Sequence, residues 1–185
     1  MAAAISPIVA VITVCGLFYP VTVYYGVLSF SPAGPVFFGI ALIVARLFAT
    51  RRRHSSRAET VAAVLAVAVL LGLLARSPDL AAKAYPAAVS FTLAGLFLLS
   101  LIRPPSIIER IARVREPGLS QAGVVYTRNV TIVWTCFLLA NGAISVATGI
   151  WGTLEQWTLW NGVLSYIAIG TLFAGEFLVR RRIQR

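Results

Sequence analysis

"VTIVWTCFLLANGAISVATGIW", residues 130–151, runs for 22 positions without a Lys, Arg, Asp or Glu. At 1.5 Å of rise per residue a helix of this length reaches about 33 Å, enough to cross a hydrocarbon core about 30 Å thick. The stretch therefore reads as a membrane-spanning helix. The rest of the chain fits that setting: 59% of the 185 residues are hydrophobic and only 12% are charged. An ordinary soluble domain carries about a quarter charged residues.

Working outward, five further apolar runs lie at 7–28, 33–50, 60–75, 85–102 and 157–179. The expected fold is an all-α polytopic bundle of six transmembrane helices, forming a single integral membrane domain over 1–185. The runs at 33–50, 60–75 and 85–102 are short for a crossing. A re-entrant hairpin is the alternative for 60–75 and 85–102, but it sets Arg76, Asp79 and Lys83 near mid-membrane, at about 2.5–3.5 kcal/mol each. Two full spans cost less.

Sixteen Lys and Arg against six Asp and Glu give a formal net charge of +10. Nucleic-acid binding requires a basic face with interleaved aromatics on a soluble fold, whereas these charges sit between apolar runs, as topology signals do. With the N-terminus inside, the cytoplasmic segments hold Arg51, Arg52, Arg53, Arg57, Arg103, Arg110, Arg113, Arg115, Arg128, Arg180, Arg181, Arg182 and Arg185. Arg76 and Lys83 fall outside, and Arg46 lies within the second span. Both termini are thus expected in the cytoplasm. Trp151, Trp157 and Trp160 cluster at the expected outer end of the last hairpin and Trp134 near its inner end, each as a lipid anchor or as packing.

The start of the chain, "MAAAISPIVAVITVCG", has no Lys or Arg before Arg46, and Val14 precedes Cys15. It reads as an uncleaved first helix rather than a lipoprotein signal. Cys15 and Cys136 both fall inside spans, where a thiol behaves as a small hydrophobe.

The longest charged stretch is "PPSIIERIARVREPG", residues 104–118. Ser106 and Glu109 have capping-box spacing, Pro104 and Pro105 end the preceding span, and Pro117 with Gly118 ends the segment. A short helix over 106–116 follows. At 3.6 residues per turn Ile107, Ile108, Ile111 and Val114 share a face; Glu109, Arg110, Arg113 and Glu116 take the other, with Glu109 placed to pair with Arg113. Such a helix lies flat on the cytoplasmic leaflet, where Arg110, Arg113 and Arg115 attract anionic headgroups at about 1 kcal/mol each. The alternative is a loop whose charges only set topology.

Polar groups inside the spans call for partners. Arg46 is five residues before Arg51 and can snorkel to the interface. Glu176 is one turn before Arg180 and placed to pair with it. Asn141 stands mid-span and needs a partner on another helix. Ala68 with Gly72, and Gly170 with Ala174, have the spacing of close helix packing, and Pro20 is expected to kink the first helix. Phosphate-binding, nucleophile-elbow and zinc-protease motifs are missing, and one His with two separated Cys gives no ligand set, so neither metal nor redox cofactor is expected.

From "PPSIIERI" through "NVTIVWTCFLLANGAISVATGIWGTLEQWTLWNGVLSYIAIGTLFAGEFLVRRR" the chain resembles the bacterial intracellular septation protein A family of inner-membrane proteins. There a similar basic Pro, Ile, Glu/Gln, Arg segment precedes a Trp-rich final hairpin. The chain looks closer still to an uncharacterised subgroup whose genes accompany aryl polyene lipid synthesis. The resemblance covers about residues 104–182. It implies a Gram-negative inner-membrane protein of envelope assembly and supplies no catalytic residues. Three functions follow as expectations. The first is a non-enzymatic scaffold for envelope proteins or anionic lipid. The second is a carrier or accessory subunit for a lipid-linked intermediate, with Pro20 and Asn141 lining a polar cleft. The third is an intramembrane enzyme, disfavoured because Glu176 is its only acid.

Overall fold

A computed structural model describes residues 15–16, 18–29, 33–51 and 57–183, and no strand occurs among them. In chain order the helices are α1 (Tyr19–Ser29), α2 (Ala33–Arg51), α3 (Arg57–Arg76), α4 (Pro78–Ile102), α5 (Ile107–Arg115), α6 (Gln121–Trp151), α7 (Leu154–Leu159) and α8 (Ser165–Ile183). A π turn, Trp160–Leu164, joins α7 to α8 without a break. Four segments are long and apolar enough to cross a membrane: Arg57–Arg76, Pro78–Ile102, Gln121–Trp151 and Leu154–Arg181. In α2 the apolar part is shorter, Ala33–Ala45. The expected span 7–28 lies partly outside the described residues; its described part is helical at Cys15 and Gly16 and again from Tyr19.

The helix ends extend beyond the apolar runs because caps, not hydropathy, set them. Between α3 and α4 stands one residue, Ser77, whose Oγ accepts from the Leu80 N–H at 3.4 Å while Pro78 opens the next helix. Proline disfavours helical backbone in the residue before it, and its missing N–H costs nothing in a first turn. Asp79 and Lys83, expected in an outer loop, therefore belong to the first turns of α4. After α6, Thr153 and Gln156 form a reciprocal capping box, with hydrogen bonds of 3.3 and 3.0 Å. A Cβ at Gly152 would lie 2.6 Å from the Thr148 carbonyl oxygen, so this turn requires glycine.

Helices α4 and α6 form the centre. Arg128 Nη1 donates to the Leu101 carbonyl, Asn141 Nδ2 donates to Ser90 Oγ, and Gly149 faces Lys83 Cβ. As numbers rise on one helix they fall on the other, so the pair is antiparallel. The α6 face buried here carries Thr127, Thr131, Thr135, Gly142, Ser145 and Gly149. Each of the three threonine hydroxyls bonds a carbonyl of its own helix, three or four residues back, which satisfies the hydroxyl without a second helix. At Gly142 the missing side chain admits Phe91, whose ring carbons lie 2.9 Å from where a Cβ would stand. Close packing through small residues is the usual way membrane helices associate. The expected packing positions Gly72 and Gly170 instead have nothing within 4 Å of an added Cβ. Four-residue spacing marks a face but not which neighbour it meets.

The outside of the bundle is apolar. Val61, Val64, Leu65, Val69 and Leu71 of α3 are all exposed. Such a face is stable against hydrocarbon and not against water.

Candidate functional site

Pro86 sits inside α4 and has no N–H, so the Ala82 carbonyl four residues earlier loses its helical donor. Tyr19 of α1 replaces it, its hydroxyl donating to that oxygen at 2.9 Å. One residue on, Trp157 Nε1 of α7 donates to the Lys83 carbonyl at 3.2 Å. Tyr19 and Trp157 are the two largest fully buried side chains among the described residues. Both come from elements distant in sequence and converge on one turn of α4. Trp157, expected as an interfacial or packing residue at the outer end of the hairpin, is core with 0% exposure, whereas Trp151 is 81% exposed. The Tyr19 ring packs against Tyr85 at 4.2 Å between centroids, and Gly39 of α2 leaves room for both rings. Pro20 stands in the first turn of α1, where a missing N–H is harmless, and Phe18 before it is a turn that follows helical Cys15 and Gly16.

Next to this turn lies a cavity of about 510 Å³, walled by parts of α1, α2, α3, α4, α6, the π turn and α8. Volumes of about 300–1,000 Å³ are those of cavities that hold small ligands. Its wall is mainly apolar, with Leu42, Ile43, Leu93, Leu96, Leu138 and Ile169. The polar residues at the wall include Ser90, Asn141, Asn161, Ser165 and Tyr166, with one carboxylate, Glu59, and no described Lys or Arg.

Asn141 is 8% exposed and gives its Nδ2–H to Ser90 Oγ at 3.0 Å, the inter-helix contact its mid-span position requires. Asn161 is 3% exposed and comes from the π turn. There the Ser165 N–H bonds the Trp160 carbonyl five residues back. The Ser165 hydroxyl takes the Asn161 carbonyl at 3.2 Å, and the Asn161 Nδ2–H takes the Trp157 carbonyl at 2.9 Å. One extra residue in the turn thus sets Asn161 and Ser165 at the cavity wall, a use that π turns often have. In both asparagines Oδ1 is buried and without a hydrogen-bond partner. Among the described residues five buried side-chain polar atoms lack partners; the others, on Ser145, Thr158 and Trp160, belong to residues outside the cavity lining.

The other expected site residues lie elsewhere. Arg46 is in α2, with its side chain outside the described residues. Glu176 does not line the cavity, and the expected ion pair with Arg180 does not form. Tyr126 of α6 reaches that turn instead, its hydroxyl donating to the Glu176 carbonyl at 3.4 Å, and Arg181 lies over the Phe177 ring.

Helix α5 occupies the expected range within a residue at each end, with Ser106 as N-cap and Glu116 as C-cap. Only half of the capping box forms. Ser106 Oγ accepts from the Glu109 N–H, while the Glu109 carboxylate turns to Arg113 at 2.8 Å. The expected polar face is therefore split. Glu109, 6% exposed, packs inward because α5 lies along α6, and Arg113 reaches it from the half-exposed side. Arg110 Nε donates to the Pro105 carbonyl at 2.8 Å, and Arg115 is exposed. Ile107 and Ile108 are half-buried, whereas Ile111 and Val114 are 59% and 76% exposed. At 100° per residue Arg110 and Arg115 flank the strip of Ile107, Ile111 and Val114.

Among the described residues no three His, Cys, Asp or Glu side chains come together. The sequence reading missed Asn161 and Tyr19. A signal for the first was present in "TLWNGVLS", an Asn-Gly pair in the middle of an apolar run. No family model, curated protein or solved structure matches the chain.

Proposed function

We propose that this chain is a non-enzymatic, six-span protein of the bacterial inner membrane, with both termini cytoplasmic, that serves envelope assembly as a carrier or accessory subunit for a lipid-linked intermediate. The observation that carries the reading is the cavity of about 510 Å³, apolar along most of its wall, with Asn141 and Asn161 at one part of it. An amphipathic molecule has that pattern of needs: apolar surface to bury and one polar end to satisfy. A scaffold role through the basic cytoplasmic face is the second reading, favoured by the exposed Ile111 and Val114 between Arg110 and Arg115.

The two readings part in one experiment. An octadecyl chain carrying a diazirine, added to the protein in nanodiscs and photolysed, should saturably label Leu138 and Ile169 in the cavity. Ala88→Phe, which fills the space from α4, should remove that labelling. Label confined to outward residues such as Val133 and Ile167 would overturn the carrier reading and leave the scaffold.

A further inference from the structure

We infer that the cavity selects an amphipathic molecule whose polar end is an uncharged hydrogen-bond donor, a hydroxyl or an amide N–H, and that it rejects a carboxylate or phosphate end. This rests on the carrier reading and narrows it. The orientation of Asn161 is fixed by chemistry: the Trp157 carbonyl can only accept, so Nδ2 must face it, and Oδ1 is the atom left over. On α6, Asn141 gives Nδ2 to Ser90 and likewise keeps Oδ1 without a partner. Two asparagines, one on α6 and one in the π turn, each more than nine-tenths buried and each with an unpartnered acceptor, therefore line one cavity. A buried acceptor with no donor is a cost that an incoming donor removes, while a second acceptor leaves it in place. An anion fares worse still. It brings no hydrogen for either Oδ1 and sheds its hydration on entry.

The test is competition for the cavity label in nanodiscs. Octadecanol brings a donor, methyl octadecanoate only acceptors, octadecane neither, and octadecanoate at pH 8 a charge. Octadecanol should displace the diazirine label at about one tenth the membrane mole fraction that the ester or the alkane needs, the factor that one donor-acceptor bond of about 1.4 kcal/mol gives. Octadecanoate should compete least. Asn141→Leu and Asn161→Leu should each cut the preference for the alcohol over the ester about threefold or more.

Equal displacement by alcohol, ester and alkane overturns the donor inference and leaves the carrier reading standing; a wall satisfied by water alone gives that result. Full preference retained in both leucine variants overturns it too, because other groups would then be the acceptors. If no compound displaces the label, the carrier reading itself fails. Should a leucine variant not fold, the alcohol-to-ester ratio in the unaltered protein still decides.

Discussion

Tyr19→Phe removes one hydroxyl and leaves the ring in place. In the intact protein that hydroxyl is 2.9 Å from the Ala82 carbonyl, which lacks a helical donor because residue 86 is proline. Leaving a buried acceptor unsatisfied costs about 1–3 kcal/mol in soluble proteins. Hydrogen bonds between membrane helices measure about 0.6 kcal/mol on average and about 1.7 at most. Tyr19 is fully buried and Ala82 fully buried opposite it, so the upper part of the membrane range applies. We expect a loss of about 1–1.7 kcal/mol. The informative measurement is the same substitution in a Pro86→Ala background. There the N–H restored at position 86 returns to the Ala82 carbonyl, and the Tyr19 hydroxyl becomes redundant. Tyr19→Phe should then cost less than about 0.5 kcal/mol, a coupling of about 1 kcal/mol across the cycle. Reversible unfolding in mixed micelles, followed by tryptophan fluorescence, reads all four proteins. Equal losses in the two backgrounds would refute the reasoning, because Tyr19 would then owe nothing to the proline.

Three further outcomes are expected. Gly142→Ala brings a methyl to 2.9 Å from the Phe91 ring and should destabilise by about 1–3 kcal/mol, whereas Gly170→Ala meets nothing within 4 Å and should be neutral or stabilise by up to about 1 kcal/mol in the same unfolding assay. Spin labels at Ile111 and Val114 should be relaxed by oxygen and shielded from a water-soluble nickel reagent in vesicles, with the opposite response at Arg115; equal nickel access at all three would show that α5 stands away from the lipid. With the two native cysteines replaced by alanine, Ser77→Cys should react with an impermeant maleimide added outside spheroplasts; protection until lysis would reverse the proposed topology.

Much of the fold was legible because a membrane asks little of a sequence beyond length and hydropathy. Residues 60–75 lie within α3, Arg57–Arg76, since no other segment of that composition buries its backbone polar groups in lipid. Helix α5 was legible almost to the residue, because Ser106 at one end and Pro117 with Gly118 at the other write its limits into the chain. The starts of α4 and α6 were not. Hydropathy loses Pro78–Ala84 and Gln121–Asn129 as too polar, yet Ser77 and Ser120 cap those helices and the turns that follow are helical. The charge of the strip at 104–118 was legible as a count and misleading as a face. Five charged side chains appear there, but Glu109 turns inward and holds Arg113 in an ion pair, which leaves Arg110 and Arg115 beside the apolar strip.

The site itself is built from residues that break a local rule. Proline does not belong inside a spanning helix, nor does asparagine at mid-depth, nor an extra residue in a helical turn. Each violation frees a polar group that the regular helical pattern does not satisfy, and each therefore has to be answered by a further contact. Pro86 is answered by Tyr19 on the Ala82 carbonyl, and the turn of α4 that it opens also receives Trp157 on the carbonyl of Lys83. Asn141 and Asn161 are answered on one side only, by Ser90 and by the Trp157 carbonyl. Sequence alone can mark Pro86, Asn141 and Asn161 as violations, but nothing in their spacing says that the three meet, because the meeting depends on contacts between residues 51 to 74 positions apart. Where the answers are complete the bundle is locked. At the cavity the two Oδ1 atoms are without partners, so the polar requirement there falls on whatever fills the space.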